Sequence, residues 1–443
     1  RLAASPGGEA PEAIARVQLY LNTRRTGRAV TSALEAGRTA AWLPRISYVG
    51  EMAEEARLSG IPAGSGPLRR TLALMRLTEA FLAANPEFGD PVAAPALAMS
   101  LRGLLDELQA AGREAQDLQA LDLEQHARHW DLTARFLAIA AEHWPAWVQA
   151  NDDGAPDPET RRRLAVAALA ADWAEAPPAH PVIAAGSTAS TPATAELLAA
   201  VARLPDGAVV LPGWDPEMPR DVWDELVGEA PRPEHPHHFQ ARFVASLGLE
   251  PQDVAPWGEA QPPSRPRLRL LTQALRPAPV TDHWLDALEE LAAEAPTATE
   301  NLALLEAETP RDEAAAIAGA LMAEAAAGGV AALVTPDQVL ARRVKAELGR
   351  WGIEPDDSAG RPLGLTPPGI LLGLAAGRIG RPMTAEALAA LLRHPLTCAP
   401  ARRAHLRCLG FLTREALRGG AREIDWDRMT ARLDARRSDP LRP

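Results

Sequence analysis

A chain of 443 residues has length for about three domains and a large core. Its two cysteines exclude a disulfide framework and point to a reducing, cytoplasmic setting. The net charge of −12 argues against nucleic-acid binding by the surface as a whole, leaving room for a local arginine-lined groove, and no apolar run reaches the roughly 18 residues of a membrane span.

The chain opens on Arg1, as a fragment would, and its first elements alternate in type. Val17 to Leu21 reads as a strand, Thr26 to Leu34 as a helix and Ile46 to Val49 as a second strand. From Pro67 to Trp147 the texture becomes helix after helix, with Leu72, Leu74, Leu77 and Phe81 at helical spacing. Asn151-Asp152-Asp153-Gly154 breaks this block before a helix from Glu159 to Glu175. The α/β pattern returns with a strand at Pro181–Ala185, a helix over 192–204 opened by Thr191 and Pro192, and a strand at Ala208–Leu211. Residues 229–266 are rich in proline and histidine and read as a loop with one short helix from Phe239 to Leu247.

Beyond Arg267 the α/β grammar resumes. Leu302–Glu306 and Val330–Val334 have the composition of buried strands, and each is followed by a helix. Thr309 and Pro310 open the first of these helices and Gly328-Gly329 stops it; Thr335-Pro336 opens the second, which Gly352 ends. From Pro367 onward the chain is helical and arginine-rich.

This order predicts an α/β protein with two RecA-like parallel-sheet cores and two mainly helical insertions. The first core takes residues 1–64 and 179–266, with the first insertion over 65–178. The second core takes 267–366, and the second insertion 367–443. Such sheets bind ligands at the carboxyl ends of their strands, yet nothing there suits a triphosphate. Lys345 is the one lysine among 46 basic residues, and it lies mid-helix rather than in a G-x-x-x-x-G-K-[ST] loop. The strand at 181–185 runs into Gly186-Ser187-Thr188, without the acid that would hold magnesium. The chain by itself is therefore not expected to hydrolyse ATP. No G-x-S-x-G elbow is present, and the carboxylates follow no nuclease pattern. His394, Cys398, His405 and Cys408 match no standard zinc spacing, and His235, His237 and His238 read as a solvated loop.

Four stretches, taken in order, resemble AddB, the helicase-like and nuclease subunit of the AddAB helicase–nuclease, in its alphaproteobacterial form. They are Leu19 to Arg25; Pro181 to Thr188 with Pro192 to Thr194; Gly207 to Gly213; and Glu308 to Glu313 with Asp357 to Leu363. Asn22 stands where that family usually has proline. The resemblance implies a role in double-strand break repair beside an AddA-like motor subunit, with duplex DNA ends and single-stranded DNA as partners and one strand scanned for a Chi-type sequence. It further implies that the exonuclease domain, its magnesium and its iron–sulfur cysteines lie beyond residue 443, and any vestigial Walker A loop before residue 1. Two other readings stay open: an ATP-dependent superfamily-1 helicase whose Walker A loop precedes this segment, and a scaffold that touches only its protein partner.

The loop after the first strand is the first candidate site. Thr23, Arg24, Arg25 and Thr26 offer donors to phosphates and base edges of single-stranded DNA, although the two arginines would equally suit a solvated helix start. The resemblance adds Arg45 and Tyr48, the latter as a stacking ring. Ser187 and Thr188 take the place of the Walker B acid, in a stretch that also serves as a strand-to-helix turn. Arg276 stands where active helicases place a phosphate-sensing arginine. No residue is assigned to catalysis or to a metal.

Overall fold

The computed structural model describes residues 11–36, 42–52, 60–115, 117, 135–256, 264–418 and 423–437; part of the helical run expected up to Trp147 lies outside them. The chain divides into two units, Arg1–Leu304 and Leu305–Pro443.

The first unit is built on a four-stranded, all-parallel sheet. β1 (Gln18–Leu21) leads into helix α1 (Arg24–Glu35) and then β2 (Arg45–Tyr48). A helical excursion follows: α2 (Pro67–Ala84), α3 (Ala94–Ala110), α4 (Trp144–Asn151) and α5 (Pro158–Glu175). The chain then returns through β3 (Val182–Ala185), α6 (Pro192–Arg203) and β4 (Gly207–Val210). Strand order is β2-β1-β3-β4, so the chain leaves β1 toward one edge and later fills the other. That reversal puts a topological switch point between β1 and β3, where open α/β sheets hold their ligands.

Alternation along the strands assigns the two faces. Tyr20, Val182 and Ala184 point into the main core with Leu197, Leu198 and Val201 of α6. Trp173 of α5 packs edge-on to Tyr20, with ring centroids 6.0 Å apart, so the helix that closes the excursion also covers the sheet. A second core, formed by Leu74, Leu101, Leu105, Ile139 and Trp144, holds α2, α3 and α4 together. Beyond β4 come α7 (Arg220–Val227), α8 (His238–Ser246), α9 (Arg265–Ala274) and α10 (Leu288–Ala298). Val222, Trp223, Leu226, Phe243 and Val244 extend the main core onto α7 and α8.

The second unit contains α11 (Pro310–Ala326), α12 (Gln338–Arg350), α13 (Pro367–Ala376), α14 (Ala385–Arg393), α15 (Arg402–Leu412) and α16 (Trp426–Arg437). Thr309 caps α11 as its sequence predicts. α12 instead starts two residues later than predicted, because the Asp337 carboxylate accepts from Val339 N–H and takes over as the cap. The expected strands Leu302–Glu306 and Val330–Val334 join no ladder among the described residues. A parallel strand is stabilised by ladder neighbours and by cover on both faces. Leu333 does pack beside the small α11–α12 core, but Leu304, Val330 and Val334 are 88 %, 98 % and 94 % exposed. The described chain is thus α/β with one parallel sheet, and no helix in it is long and apolar enough to cross a membrane.

Candidate nucleic-acid interface

The parallel register gathers the ends of all four strands at one edge: Leu21 lies beside Tyr48 and Ala185, and Ala185 beside Val210. Thr23, Arg24, Arg25, Thr26 and Tyr48 gather there, together with Ser187 and Thr188 on the β3 loop. Thr23 caps α1, its side-chain oxygen accepting from Thr26 N–H at 3.1 Å. Thr26 Oγ1 donates to Asn22 Oδ1 at 2.8 Å, and Asn22 Nδ2 donates to the Gly186 carbonyl at 2.8 Å. Asn22 therefore clasps the β1 and β3 loops across the switch point, a role that no local pattern reveals. Gly186 sits at φ +79°, in the left-handed region that suits glycine, with Asn22 packed against it.

Arg24 forms a two-pronged pair with Glu51, Nε to Oε1 at 2.7 Å and Nη2 to Oε2 at 2.9 Å. Its guanidinium lies 5.8 Å from the centroid of the Tyr48 ring. Hydrogen bonding from Arg24 holds the Glu51 carboxyl below the usual range. Sequence reading missed Glu51 as the group that orients Arg24. Gly27 of α1 gives the Tyr48 hydroxyl its space, since a Cβ there would stand 2.3 Å from that oxygen. Arg24 is 74 % exposed and Arg25 is exposed beside it. The result is an oriented cation, a ring and a second cation at the rim of the switch point.

Two predicted residues lie elsewhere. Arg45 begins β2, paired in register with Gln18, and is three residues upstream of Tyr48, about 10 Å toward the opposite edge of the sheet. Arg276 is buried in an ion pair with Asp221, and its Nε donates to Gln273 Oε1. His283 Nδ1 meets the same Asp221 carboxylate at 2.6 Å. Burial opposes ionisation of Asp221, but hydrogen bonds from His283 and Arg276 outweigh it and hold the carboxyl below its usual range. Arg276 thus ties the segment after α9 to α7.

His235 is no solvated loop residue. It is 8 % exposed and accepts from His237 N–H at 3.1 Å, in the wall of a ~160 Å³ cavity shared with Asp215, Thr272 and Leu271. Burial, reinforced by His237, pushes its pKa down to about 4. Above about pH 6.5 the ring is neutral in both folded and unfolded chains. Between that value and about 4, only the unfolded chain takes up the proton, so stability falls with pH by up to ~3 kcal/mol. His235→Asn is expected to flatten this limb in urea titrations across that range. Parallel curves for the variant and the parent would refute the assignment.

The histidine–cysteine set of the second unit does not assemble. His405 Nε2 pairs with the Leu392 carbonyl at 2.7 Å, Cys398 and Cys408 are exposed, and no metal-holding group of three or more ligand residues occurs among the described residues. Two cysteines also cannot supply the four thiolates of an iron–sulfur cluster. Comparison with known proteins found no family model that matches the chain and no curated protein similar to it.

Proposed function

We propose that this chain is the DNA-guiding, non-hydrolysing body of a helicase-like subunit in a DNA-break-processing complex, an AddB-like protein that works beside a motor partner. The single sheet of the first unit is one RecA-like core. Residues 267–366 belong to a second, in which the exposed runs 302–306 and 330–334 become strands when ladder neighbours are supplied. One observation carries the functional reading. The switch point of a parallel sheet, the usual ligand crevice, is bridged by Asn22 and rimmed by an oriented arginine, an aromatic ring and a second arginine. Exposed cations beside a ring, at the rim rather than in a glycine-rich phosphate loop, suit passage of a strand better than capture of a small nucleotide. Phosphates would meet Arg24 and Arg25, and a base would stack on Tyr48. A Chi-type sequence would be read by base-edge donors from Thr23 and Thr26.

The test is fluorescence anisotropy with a labelled single-stranded oligonucleotide. Arg24→Gln with Arg25→Gln is expected to weaken binding by about tenfold or more, and Tyr48→Ala by about fivefold or more. Arg45→Gln, at the opposite edge, should leave binding unchanged. Equal losses from Arg45 and Arg24 would discard the site, and a parent chain that binds no single strand would discard the reading.

A further inference from the structure

Charge is distributed very unevenly along this acidic chain. From Ser358 to Arg418, nine arginines stand against two glutamates, a net +7 within a chain whose total is −12. Nothing in the carboxyl-edge site accounts for it.

The structure shows which of these charges are used internally. Arg402 donates to the carbonyls of Arg393, His394 and Thr397, closing the carboxyl end of α14. The inner face of α15 is set by His405, which bonds the Leu392 carbonyl, by buried Leu409 and by half-buried Leu412. Arg403 and Arg407 lie two residues from His405 on either side, about half a turn away, and point outward. The helix continues through a π-turn, Thr413–Leu417; the spacing of four and seven keeps Arg403, Arg407 and Arg414 on one side, and Arg418, with extended backbone, follows at the helix end, so the row runs over about 20 Å. All four are exposed, and none has an ion-pair partner among the described residues. Arg393, also exposed, shares a groove with Arg418 at the start of the next row.

We propose that this arginine stripe is a second DNA-contact surface, a sequence-independent track for the phosphate backbone of duplex DNA. A row of cations without ion-pair partners among the described residues suits a uniformly charged rod, which presents a phosphate about every 1.7 Å of its axis. A row of guanidinium groups suits phosphate contacts, which carry no sequence information. An acidic protein surface is the competing occupant. It fits less well, because the stripe from Arg403 to Arg418 holds four outward arginines against one glutamate, Glu415, spaced along one line as a phosphate backbone is. The choice of DNA rests on the function proposed above; the position of the surface does not.

The experiment measures the salt dependence of the full chain's affinity for a random-sequence duplex of about 30 base pairs. The variant carries Arg403→Gln, Arg407→Gln, Arg414→Gln and Arg418→Gln together. Each lost phosphate contact lowers the slope of log affinity against log salt by about 0.9, so a decrease of about 2–4 is expected, with affinity near 0.1 M salt falling on the order of 100-fold. Arg311→Gln with Arg342→Gln and Arg343→Gln, a control set on the same unit, should leave the slope unchanged. An unchanged slope in the fourfold variant, or an equal decrease in the control, overturns the proposal. So does a variant that keeps its slope but loses its hold on a motor partner, which would make the stripe a protein interface. The Arg24→Gln, Arg25→Gln variant separates the two readings, since it should lose single-strand binding and keep the duplex slope.

Discussion

Replacing Arg70 by methionine is expected to cost the chain about 3–5 kcal/mol. The Arg70 side chain is only 3 % exposed, yet it carries a full positive charge. It stands on α2 and reaches Asp106 of α3 and Asp157 at the head of α5; its Nε is 2.9 Å from Asp157 Oδ1. The guanidinium also lies 5.8 Å from the centroid of the Trp144 ring. Asp157 Oδ2 accepts from Trp144 Nε1 and Gln109 Nε2, both at 2.8 Å. One buried carboxylate thus joins four helices, and one buried guanidinium balances it. Methionine matches the length and apolar character of the arginine stem but leaves Asp157, 10 % exposed, without a counter-charge. Asp157→Asn in the same chain should recover part of the loss, with a coupling of about 1–3 kcal/mol. Urea unfolding followed by tryptophan fluorescence measures both. A single-variant cost below about 1 kcal/mol, or a double variant worse than the sum, would show that this network does not hold the helical excursion together.

The sequence was most legible where the causes are local. Thr23, Thr191 and Thr309 cap helices within three residues of themselves, and β1, β3 and β4 of the first unit lie in apolar runs that need only a neighbour of the same kind. The placement of Thr23 to Thr26 and Tyr48 at one edge follows from strand direction alone. Legibility ended where partners are distant. Asn22 bonds a carbonyl 164 residues away, and Arg276 finds its carboxylate 55 residues upstream. No local pattern encodes either pairing, so the first looked like an exception and the second like a sensor. Arg45 was misplaced for another reason: belonging to the right strand does not put a residue at the right end of it. The runs at 302–306 and 330–334 show a further limit, since strand composition signals a capacity that only a ladder partner realises.

Gly207→Ala is expected to destabilise the first unit by about 2–3 kcal/mol, and Gly27→Ala by far less, although both place a methyl in a comparably short contact. At Gly207 the new Cβ would stand 1.9 Å from the Val201 carbonyl oxygen and 3.0 Å from Leu204 Cβ. Those atoms belong to the end of α6, whose Leu197, Leu198 and Val201 are fixed in the main core, and Gly207 N–H donates to the Leu204 carbonyl in the same turn. The clash is a rigidly held Cβ against backbone, so α6 or β4 must move, and β4 is an edge strand of the sheet. At Gly27 the nearest atom is the Tyr48 hydroxyl, the far end of a side chain at the rim. The ring can swing aside, but doing so takes it out from beneath the Arg24 guanidinium. Thermal melting should therefore separate the two variants by several degrees, whereas single-strand affinity should fall in Gly27→Ala without any loss of fold. If Gly27→Ala instead unfolds the chain as readily as Gly207→Ala, Tyr48 is a packing residue and its assignment as a stacking platform fails.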